Sequence, residues 1–307
     1  MRKIKVKAYS TSANLGPGYD ILALAHNAFA DELVMEIDKI HAGNRIRIIG
    51  NNVPPEAKKN SAGLPLIKLF NEFDIRESVT IHITKNIPVG SGLGSSGSSA
   101  AASIAAANEL FSLSLSRDEM IRFAMEGECA SSGTPHADNV AASIYGYVVS
   151  VNSVNPPRAY NIKTEMDLRF MSIIPDVHIP EKTKLARSMV PFSITMESGI
   201  RNSRNLASLI SGFASGKRDL IRDGMDDGIV ERSRLSLFPY YTSIKANVMK
   251  KNAVGVCVSG AGPTILILYD NETDLHGIED KIDQIMRSAG ITYRRSYSTL
   301  SGGMEIE

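Results

Sequence analysis

The sequence predicts an α+β fold on three observations. Segments with strand and helix patterns follow one another without the regular strand–helix alternation of a doubly wound sheet. Residues 79–84 alternate apolar and polar side chains, which is typical of a strand that buries only one face. The length of 307 residues, with 43% hydrophobic and 22% charged residues, is ordinary for a globular protein of one large or two medium domains.

In the first half of the chain, hydrophobic periodicity predicts each element in turn. Residues 4–8 alternate apolar side chains with lysines, which indicates a half-exposed strand. Ser116 is a suitable N-cap for a helix that starts after it. The remaining predicted elements are strands at 33–37, 45–49, 79–84 and 147–151, and helices at 64–73, 99–110, 117–130 and 136–146.

A polar segment separates the two halves of the chain. Residues 152–161 contain the pair Pro156 and Pro157, and adjacent prolines mark loops and boundaries. We therefore predict two domains, residues 1–155 and residues 156–307. In the second half, the same patterns predict strands at 170–174, 254–258, 264–268 and near 292–295, and helices at 181–189, 203–213, 240–250 and 275–288.

Bulk properties argue against several function classes. The formal net charge of +1 gives no general attraction to nucleic acid or membrane surfaces. Cys129 and Cys257 form no CxxC or metal-ligand pattern, so we expect no disulfide framework and a reducing compartment. The N-terminus lacks the apolar core of a signal peptide, and no apolar run approaches the ~20 residues of a membrane span. These features predict a cytoplasmic protein without a nucleic-acid or membrane partner.

A glycine- and serine-rich loop, PVGSGLGSSGSSA at residues 88–100, leads from a strand into an alanine-rich helix. This setting argues against a flexible linker. Gly92, Gly94 and Gly97 match the dinucleotide fingerprint G-x-G-x-x-G. However, the preceding strand alternates, whereas the parallel strand of that fold is apolar throughout. The Walker A motif is absent because no lysine follows a glycine in the loop.

A phosphate-binding loop is the functional interpretation that remains. Glycines let backbone N–H groups converge on an anion, and Ser95 and Ser96 add hydroxyl groups. The N-terminus of the following helix also attracts anions. The structural alternative is a tight strand-to-helix turn that binds no ligand.

Two further glycine-rich stretches have both a functional and a structural interpretation. SANLGPGYD at residues 12–20 offers Asn14 and Asp20 to a small polar substrate, or these side chains cap a local turn. VSGAGPTILIL at residues 258–268 is either a loop that approaches a ligand or a hairpin turn.

The stretch GECASSGTPHADN at residues 127–139 concentrates polar side chains. Glu128 ends an otherwise apolar helical segment, where a carboxylate needs a partner such as Mg²⁺. His136 and Asp138 lack the further ligands of a zinc site. Their structural alternative is to cap the next helix.

Three stretches together resemble the GHMP kinases, the superfamily of galactokinase, homoserine kinase, mevalonate kinase and phosphomevalonate kinase. SANLGPGYD, PVGSGLGSSGSSAA and VSGAGPT appear in the family's order and span the chain. The resemblance implies a two-domain α+β fold whose N-terminal half is similar to domain 2 of ribosomal protein S5. With SSGTPHADN, the combination is most similar to the homoserine kinase branch.

The resemblance implies a role for each matching residue. Arg187 and Arg234, ordinary charged residues by themselves, would bind a substrate carboxylate, which suits a planar guanidinium. Ser96 and Glu128 would hold Mg²⁺. The other substrate-facing residues would be Asn14, Asp20, His136, Asn139 and Thr183. ATP would contact Asn60 and Lys85 near the adenine, then Pro88, Val89, Gly90, Ser91, Gly92, Leu93, Gly94, Ser95, Ser96, Gly97 and Ser98, and finally Ser259, Gly260 and Gly262.

The implied reaction is phosphorylation of the hydroxyl of L-homoserine by ATP, in a protein expected to form a homodimer. Related kinases use an Asp in the segment matching HADN with an N-terminal Lys, here Asp138 and Lys7. In homoserine kinases the substrate-facing residue resembles Asn139 instead. We hypothesise that Asp20 orients the hydroxyl beside Asn139 and that no strong base is needed, because the transition state of phosphoryl transfer is loose.

One position departs from the family pattern. GLGSS is usually followed by Ala, whereas this chain has Gly97, which costs ~1 kcal/mol of helix propensity relative to Ala. The glycine and serine donors remain, so ATP binding is still expected. The alternatives are another small-molecule kinase of the superfamily, of mevalonate or shikimate type, and an ATP-binding regulator without catalysis.

Overall fold

The computed structural model describes residues 2–38, 43, 45–133 and 135–307, which fold into two mainly antiparallel sheets with flanking helices. The strands are β1 (Lys3–Asn14), β2 (Gly18–Ile37), β3 (Ile46–Gly50), β4 (Val79–Thr84), β5 (Val148–Val154), β6 (Pro157–Ile162), β7 (Arg169–Pro175), β8 (Gly255–Val258), β9 (Ile265–Tyr269), β10 (Tyr293–Thr299) and β11 (Glu305–Ile306). The helices are α1 (Gly63–Glu72), α2 (Ser95–Phe111), α3 (Arg117–Ser132), α4 (Asp138–Tyr145), α5 (Lys182–Ser188), α6 (Met196–Ser215), α7 (Arg218–Gly224), α8 (Val230–Ser233), α9 (Tyr241–Lys250) and α10 (Leu275–Ser288).

The first sheet is built around the long antiparallel pair β1 and β2. Within the described residues it has seven strands: β4 extends β2, and β3 joins β4 in the parallel direction. The β5–β6 hairpin also pairs with β2, and the C-terminal β11 returns to β1. Helices α1 to α4 pack against this sheet, and their apolar side chains form one core with it.

Small side chains let α2 lie close to its neighbours. Most of its alanines and serines are buried, and the helix contacts β1, β2, α3 and α4. A Cβ on Gly127 of α3 would lie 2.6 Å from the Cβ of Ala100, so glycine faces alanine where the two helices meet. The helix predicted at 99–110 therefore exists, but it begins earlier, at Ser95, and includes Gly97.

The second sheet separates two apolar cores. Within the described part of the chain it has four antiparallel strands in the order β10, β7, β9, β8. Helices α9 and α10 cover one face through side chains such as Ile244 and Ile282. On the other face, Phe213 of α6 packs with Leu266 of β9 and with Leu22 of β2. This last core joins the two halves of the molecule.

The strands predicted at 4–8 and 33–37 are parts of the much longer β1 and β2. Buried polar residues such as Ser12 and His26 interrupt the apolar pattern, so the pattern did not predict the full length of either strand. SANLGPGYD is consequently the reversal between β1 and β2 and no separate loop. Positive φ angles of 73° at Asn14 and 58° at Asp20 turn the chain there.

The predicted boundary segment 152–161 lies in the β5–β6 hairpin of the first sheet. The chain passes to the second sheet after β6, between residues 162 and 169. The division at 155/156 stays a prediction, and the strand pairing favours a position several residues later. Cys129 and Cys257 are both free thiols. None of the helices in the described residues combines the length and hydrophobicity that a bilayer crossing requires.

We predict that Gly146→Ala strongly destabilises the fold. Gly146 follows α4 with φ 73° and ψ 176°, a region that only glycine occupies readily and that costs other residues about 1–3 kcal/mol. A Cβ there would also lie 2.0 Å from the backbone nitrogen of Gly303, where the C-terminal segment pairs with residue 146. Urea unfolding should show a loss of at least about 3 kcal/mol from strain and steric conflict together.

Gly216→Ala is the matched control for this prediction. Gly216 ends α6 with φ 65° and ψ 21°, and a Cβ there meets no atom within 4 Å. Its substitution should cost only the left-handed backbone strain, about 1 kcal/mol. Equal losses for the two variants would contradict the role of close packing at Gly146.

Candidate active site

A cavity of about 270 Å³ lies where the three glycine-rich motifs meet. Its walls come from the β1–β2 reversal, the loop before α2, the start of α4, helix α5 and the loop after β8. The cavity brings together most of the predicted site residues: Asn14, Asp20, Pro88, Val89, Gly90, Gly92, Leu93, Gly94, Ser95, Ser96, Glu128, His136, Asn139, Thr183, Arg187, Arg234 and Gly260.

The loop before α2 needs glycine at two positions of close approach. Gly92 has φ 87°, and a Cβ on it would lie 2.4 Å from the carbonyl oxygen of Ser259 and 2.7 Å from that of Gly262. A Cβ on Gly94 would lie 1.8 Å from Thr11 Oγ1. Side chains at these positions would push the loop away from the rest of the cavity wall.

Helix α2 begins at the cavity with its N-terminus. Gly94 is the N-cap residue, and no side chain caps the first turn. The first N–H groups of a helix have no partner within it and carry partial positive charge. Because Ser95 and Ser96 line the cavity, an anion there meets these donors.

Ser96 and Glu128 form the oxygen-rich part of the cavity. Ser96 Oγ donates to Glu128 Oε1 at 2.7 Å. Burial raises the pKa of Glu128, since the ionised form loses solvation. A hydroxyl and a carboxylate are ligands that Mg²⁺ accepts, usually together with phosphate oxygens and water. The described residues contain no cluster of three or more His, Cys, Asp or Glu side chains suited to a metal.

The loop after β8 is hydrogen-bonded to the loop before α2. Ser259 Oγ lies 2.6 Å from the carbonyl oxygen of Gly92 and 2.8 Å from Ser12 Oγ. The backbone N–H of Thr264 donates to the Ser91 carbonyl at 3.1 Å. The motif VSGAGPT is therefore a loop that approaches the site, as well as the connection between two strands.

Arg187 is the centre of a second group of polar side chains in the cavity lining. Its Nη2 donates to both carboxylate oxygens of Asp20, at 3.1 and 3.0 Å, and lies 2.8 Å from His136 Nδ1. Burial and the guanidinium of Arg187 lower the pKa of His136. Asn14 supports Asp20, since its Oδ1 accepts from the Asp20 backbone N–H at 3.3 Å, while its Nδ2 donates to the Gly260 carbonyl at 2.9 Å.

Tyr19 connects the two arginines and was missed by sequence analysis. The Cζ atoms of Arg187 and Arg234 lie 5.7 and 5.2 Å from the centroid of its ring. Arg234 is buried, which lowers its pKa, and its Nε donates to the Ala186 carbonyl at 2.8 Å. The position of Tyr19 between Gly18 and Asp20 of the first motif was the available signal.

Asn139 and Asp138 occupy the first turn of α4. Asn139 Oδ1 accepts from Thr11 Oγ1 at 2.8 Å, and Asp138 Oδ1 accepts from the Asn139 backbone N–H at 2.8 Å. Burial, with a smaller contribution from Asp20, raises the pKa of Asp138 to about 7. A Cβ on Gly97 would lie 3.1 Å from the Cβ of Asn139. The glycine at this position, where the family usually has alanine, therefore fits the close approach of α2 to α4.

Several predicted residues lie behind the cavity wall. Asn60 is buried in the turn before α1, with hydrogen bonds to Pro54 and Ala62. Lys85 is buried below α2, where its ammonium contacts Asp31 and donates to the Ser95 carbonyl at 2.8 Å. Neither side chain lines the cavity, and their proposed contact with adenine stays a prediction. The other predicted residues that do not line the cavity are Ser91, Gly97, Ser98, Ser259 and Gly262.

The fold does not bring together Lys7 and Asp138, the alternative candidates for a catalytic base and its partner, at the cavity. Lys7 pairs with Glu305 at 3.7 Å on the surface of the first sheet. Asp138 lines the cavity, whereas Lys7 does not. Sequence analysis also missed Lys182, which lines the cavity at the start of α5.

Two family models match the chain. The model for the GHMP kinases N terminal domain matches residues 61–147, and the model for GHMP kinases C terminal matches residues 209–288. The first range contains the loop before α2 together with Glu128, and the second contains the loop after β8.

Proteins named homoserine kinase are similar to the chain over nearly its whole length. The protein of Saccharolobus solfataricus is 46% identical, over 99% of this chain and 98% of that protein. The protein of Sulfurisphaera tokodaii is 46% identical, over 98% of each. The crystal structure of homoserine kinase from Cytophaga hutchinsonii has a TM-score of 0.90 and 30% identity, over 100% of this chain and 98% of that one. The chain therefore belongs to the homoserine kinase family of the GHMP kinases.

Proposed function

We propose that the chain transfers the terminal phosphoryl group of ATP to the hydroxyl of L-homoserine, forming ADP and O-phospho-L-homoserine, a step of threonine biosynthesis. The relatives named homoserine kinase support this assignment over the full length. The observation that carries it is a single cavity lined both by a helix N-terminus without a side-chain cap and by two arginines. ATP and an amino acid with a free hydroxyl need these two environments side by side.

The phosphate groups of ATP are proposed to bind at the start of α2. The backbone N–H groups of residues 90–97 and the helix N-terminus would neutralise negative charge there. Phosphoryl transfer depends mainly on positioning and charge stabilisation, so donors fixed by close backbone packing suit this reaction. Gly92 and Gly94 provide that fixed geometry, since each packs against another segment of the chain.

Ser96 and Glu128 are proposed to hold Mg²⁺ together with the phosphates. When bound, the cation would neutralise charge on the phosphate oxygens. The contribution of this chain is to keep a carboxylate and a hydroxyl 2.7 Å apart beside the helix N-terminus. Burial destabilises the charged form of Glu128, which makes a cation a favourable partner.

The carboxylate of L-homoserine is proposed to bind Arg187 and Arg234. Arg187 uses Nη2 for Asp20 and His136, and its other guanidinium N–H groups would bind the carboxylate with Arg234. Tyr19 holds both guanidinium groups through its ring face. Asp20 then lies on the substrate side of the cavity, where we propose that it accepts a hydrogen bond from the reacting hydroxyl. Asn139, Asn14, His136 and Thr183 complete the substrate side.

Release of ADP with three acceptors tests the proposed function. L-homoserine should support turnover, while mevalonate and shikimate should give less than about 1% of its kcat/KM, because both have a carboxylate but neither has the α-ammonium group of an amino acid. Turnover with mevalonate or shikimate in place of L-homoserine would assign another kinase activity. ATP binding without turnover of any acceptor would make the chain a regulator. A homodimer and a cytoplasmic location stay predictions.

We predict that Glu128→Gln loses activity while gaining stability. The kcat should fall at least about 100-fold, since charge stabilisation by a metal is worth several kcal/mol. The folded-state pKa of Glu128 is raised, so the wild-type protein loses stability as the pH rises through that pKa. The amide has no such loss, and metal-free urea unfolding should show a difference in favour of the variant that grows as the pH rises above the ordinary pKa of a glutamate, about 4.3.

Glu126→Gln is the matched control, since Glu126 lies on the same helix and forms a partly exposed ion pair with Lys68. It should leave kcat and its Mg²⁺ dependence within about twofold of wild type. Full activity of the Glu128→Gln protein at the same Mg²⁺ concentration would remove Glu128 from the metal site.

We predict that Asp20→Asn lowers kcat by about 10- to 100-fold, the usual effect of losing a charge-assisted hydrogen bond. Asp138→Asn should keep kcat within about tenfold, because no strong base is required. If Asp138 acts as the base, the result will be the reverse. The wild-type kcat would then rise with pH through about 7, where Asp138 ionises, and Asp138→Asn would remove both the rise and at least about 100-fold of the rate.

A further inference from the structure

Lys182 lies at the junction of the two glycine loops. It is the first residue of α5, and its side chain lines the cavity although the residue is only 8% exposed. Its ammonium donates to the carbonyl oxygen of Gly90 at 2.6 Å and to that of Gly262. One side chain therefore connects the loop before α2 to the loop after β8.

Within the part of the chain that the structure describes, the hydrogen bonds of this ammonium go to neutral carbonyl groups. Among the described residues, no carboxylate forms an ion pair with Lys182, and burial lowers its pKa to about 7. The other charged or titratable side chains of the cavity are Tyr19, Asp20, Glu128, His136, Asp138, Arg187 and Arg234. A buried cation without a counter-ion is costly, and an anion that enters the cavity would remove that cost.

A purely structural role would explain the two carbonyl contacts but not the choice of a cation. The loops already contact each other through Ser259 Oγ and through the N–H of Thr264, so they do not depend on a lysine. Gly90 belongs to the loop that faces the phosphate groups in the proposed function. The ammonium therefore lies beside the expected position of the triphosphate, facing the same cavity as the start of α2.

We propose that Lys182 is a nucleotide-binding residue whose ammonium pairs with the phosphate groups of ATP while it holds Gly90 and Gly262 together. This inference rests on the proposed function for the location of ATP. An ammonium acts on phosphate as a compact point charge, which suits the narrow space between two backbone loops. The entering phosphates would favour the protonated lysine, so binding of ATP would take up a proton.

The test compares Lys182→Met and Lys182→Arg with Lys184→Met. Lys184 is exposed on the same helix and pairs only with the exposed Glu181 among the described residues, at 3.4 Å, which makes it a matched control. Lys182→Met should raise the KM and Kd for ATP by about 10- to 100-fold and leave the KM for L-homoserine within about twofold. Lys182→Arg should recover part of the ATP affinity, and Lys184→Met should match wild type.

Two measurements distinguish a contact between Lys182 and phosphate from a purely structural link between the two loops. The affinity for adenosine should be unchanged in Lys182→Met, because adenosine has no phosphate. Calorimetry at pH 8 in two buffers of different ionisation enthalpy should show proton uptake on ATP binding in wild type, and its loss in Lys182→Met and Lys182→Arg. Unfolding midpoints in urea establish that each variant is folded at the temperature of the assay.

Either of two results would overturn the inference. ATP affinity within twofold of wild type in a folded Lys182→Met protein would exclude the phosphate contact. Parallel weakening of ATP and adenosine, with unchanged proton uptake, would leave a structural role only. Wild-type turnover of L-homoserine is measured in the same series, so a failure of the proposed function is seen independently of the result at position 182.

Discussion

Backbone contact between two glycine loops is the constraint on which the site depends. Gly92 approaches the carbonyl oxygens of Ser259 and Gly262 so closely that a Cβ would lie 2.4 and 2.7 Å from them. This contact closes one side of the cavity and aims the loop before α2 inward. The apolar core shared by α6, β9 and β2 holds the two halves in the position that the contact requires. Close backbone packing thus sets the shape of the cavity wall at the loop before α2.

The distribution of charge follows from this arrangement. One group of lining residues, the helix N-terminus with Ser96 and Glu128, is suited to phosphate and a divalent cation. A second group, Arg187 and Arg234 beside the Tyr19 ring, is suited to a carboxylate. Buried charges cost free energy unless they meet partners. Under the proposed function, the phosphate groups of ATP and the carboxylate of L-homoserine would supply such partners.

The motifs predicted the cavity because each of them encodes local geometry. The sequence alone identifies the glycines at the start of α2 and the polar residues of the β1–β2 reversal. The family resemblance then assigned both motifs to one site. The contacts of Lys85 and Lys182 could not be predicted, since the sequence does not show which distant residues surround these side chains. Asp31 lies 54 residues from Lys85, and Gly262 lies 80 residues from Lys182. The glycine at position 97 is likewise explained only by the fold, because Asn139 of another helix packs against it.

Amide hydrogen exchange of the full chain tests the shared cavity most directly. The protein is compared alone, with a non-hydrolysable ATP analogue and Mg²⁺, and with analogue, Mg²⁺ and L-homoserine. If the two glycine loops form one nucleotide wall, the analogue should slow exchange together in residues 90–97 and 259–264, and L-homoserine should add protection around residues 14–20. Protection of only one of the two loops by the nucleotide would contradict a site built on their contact.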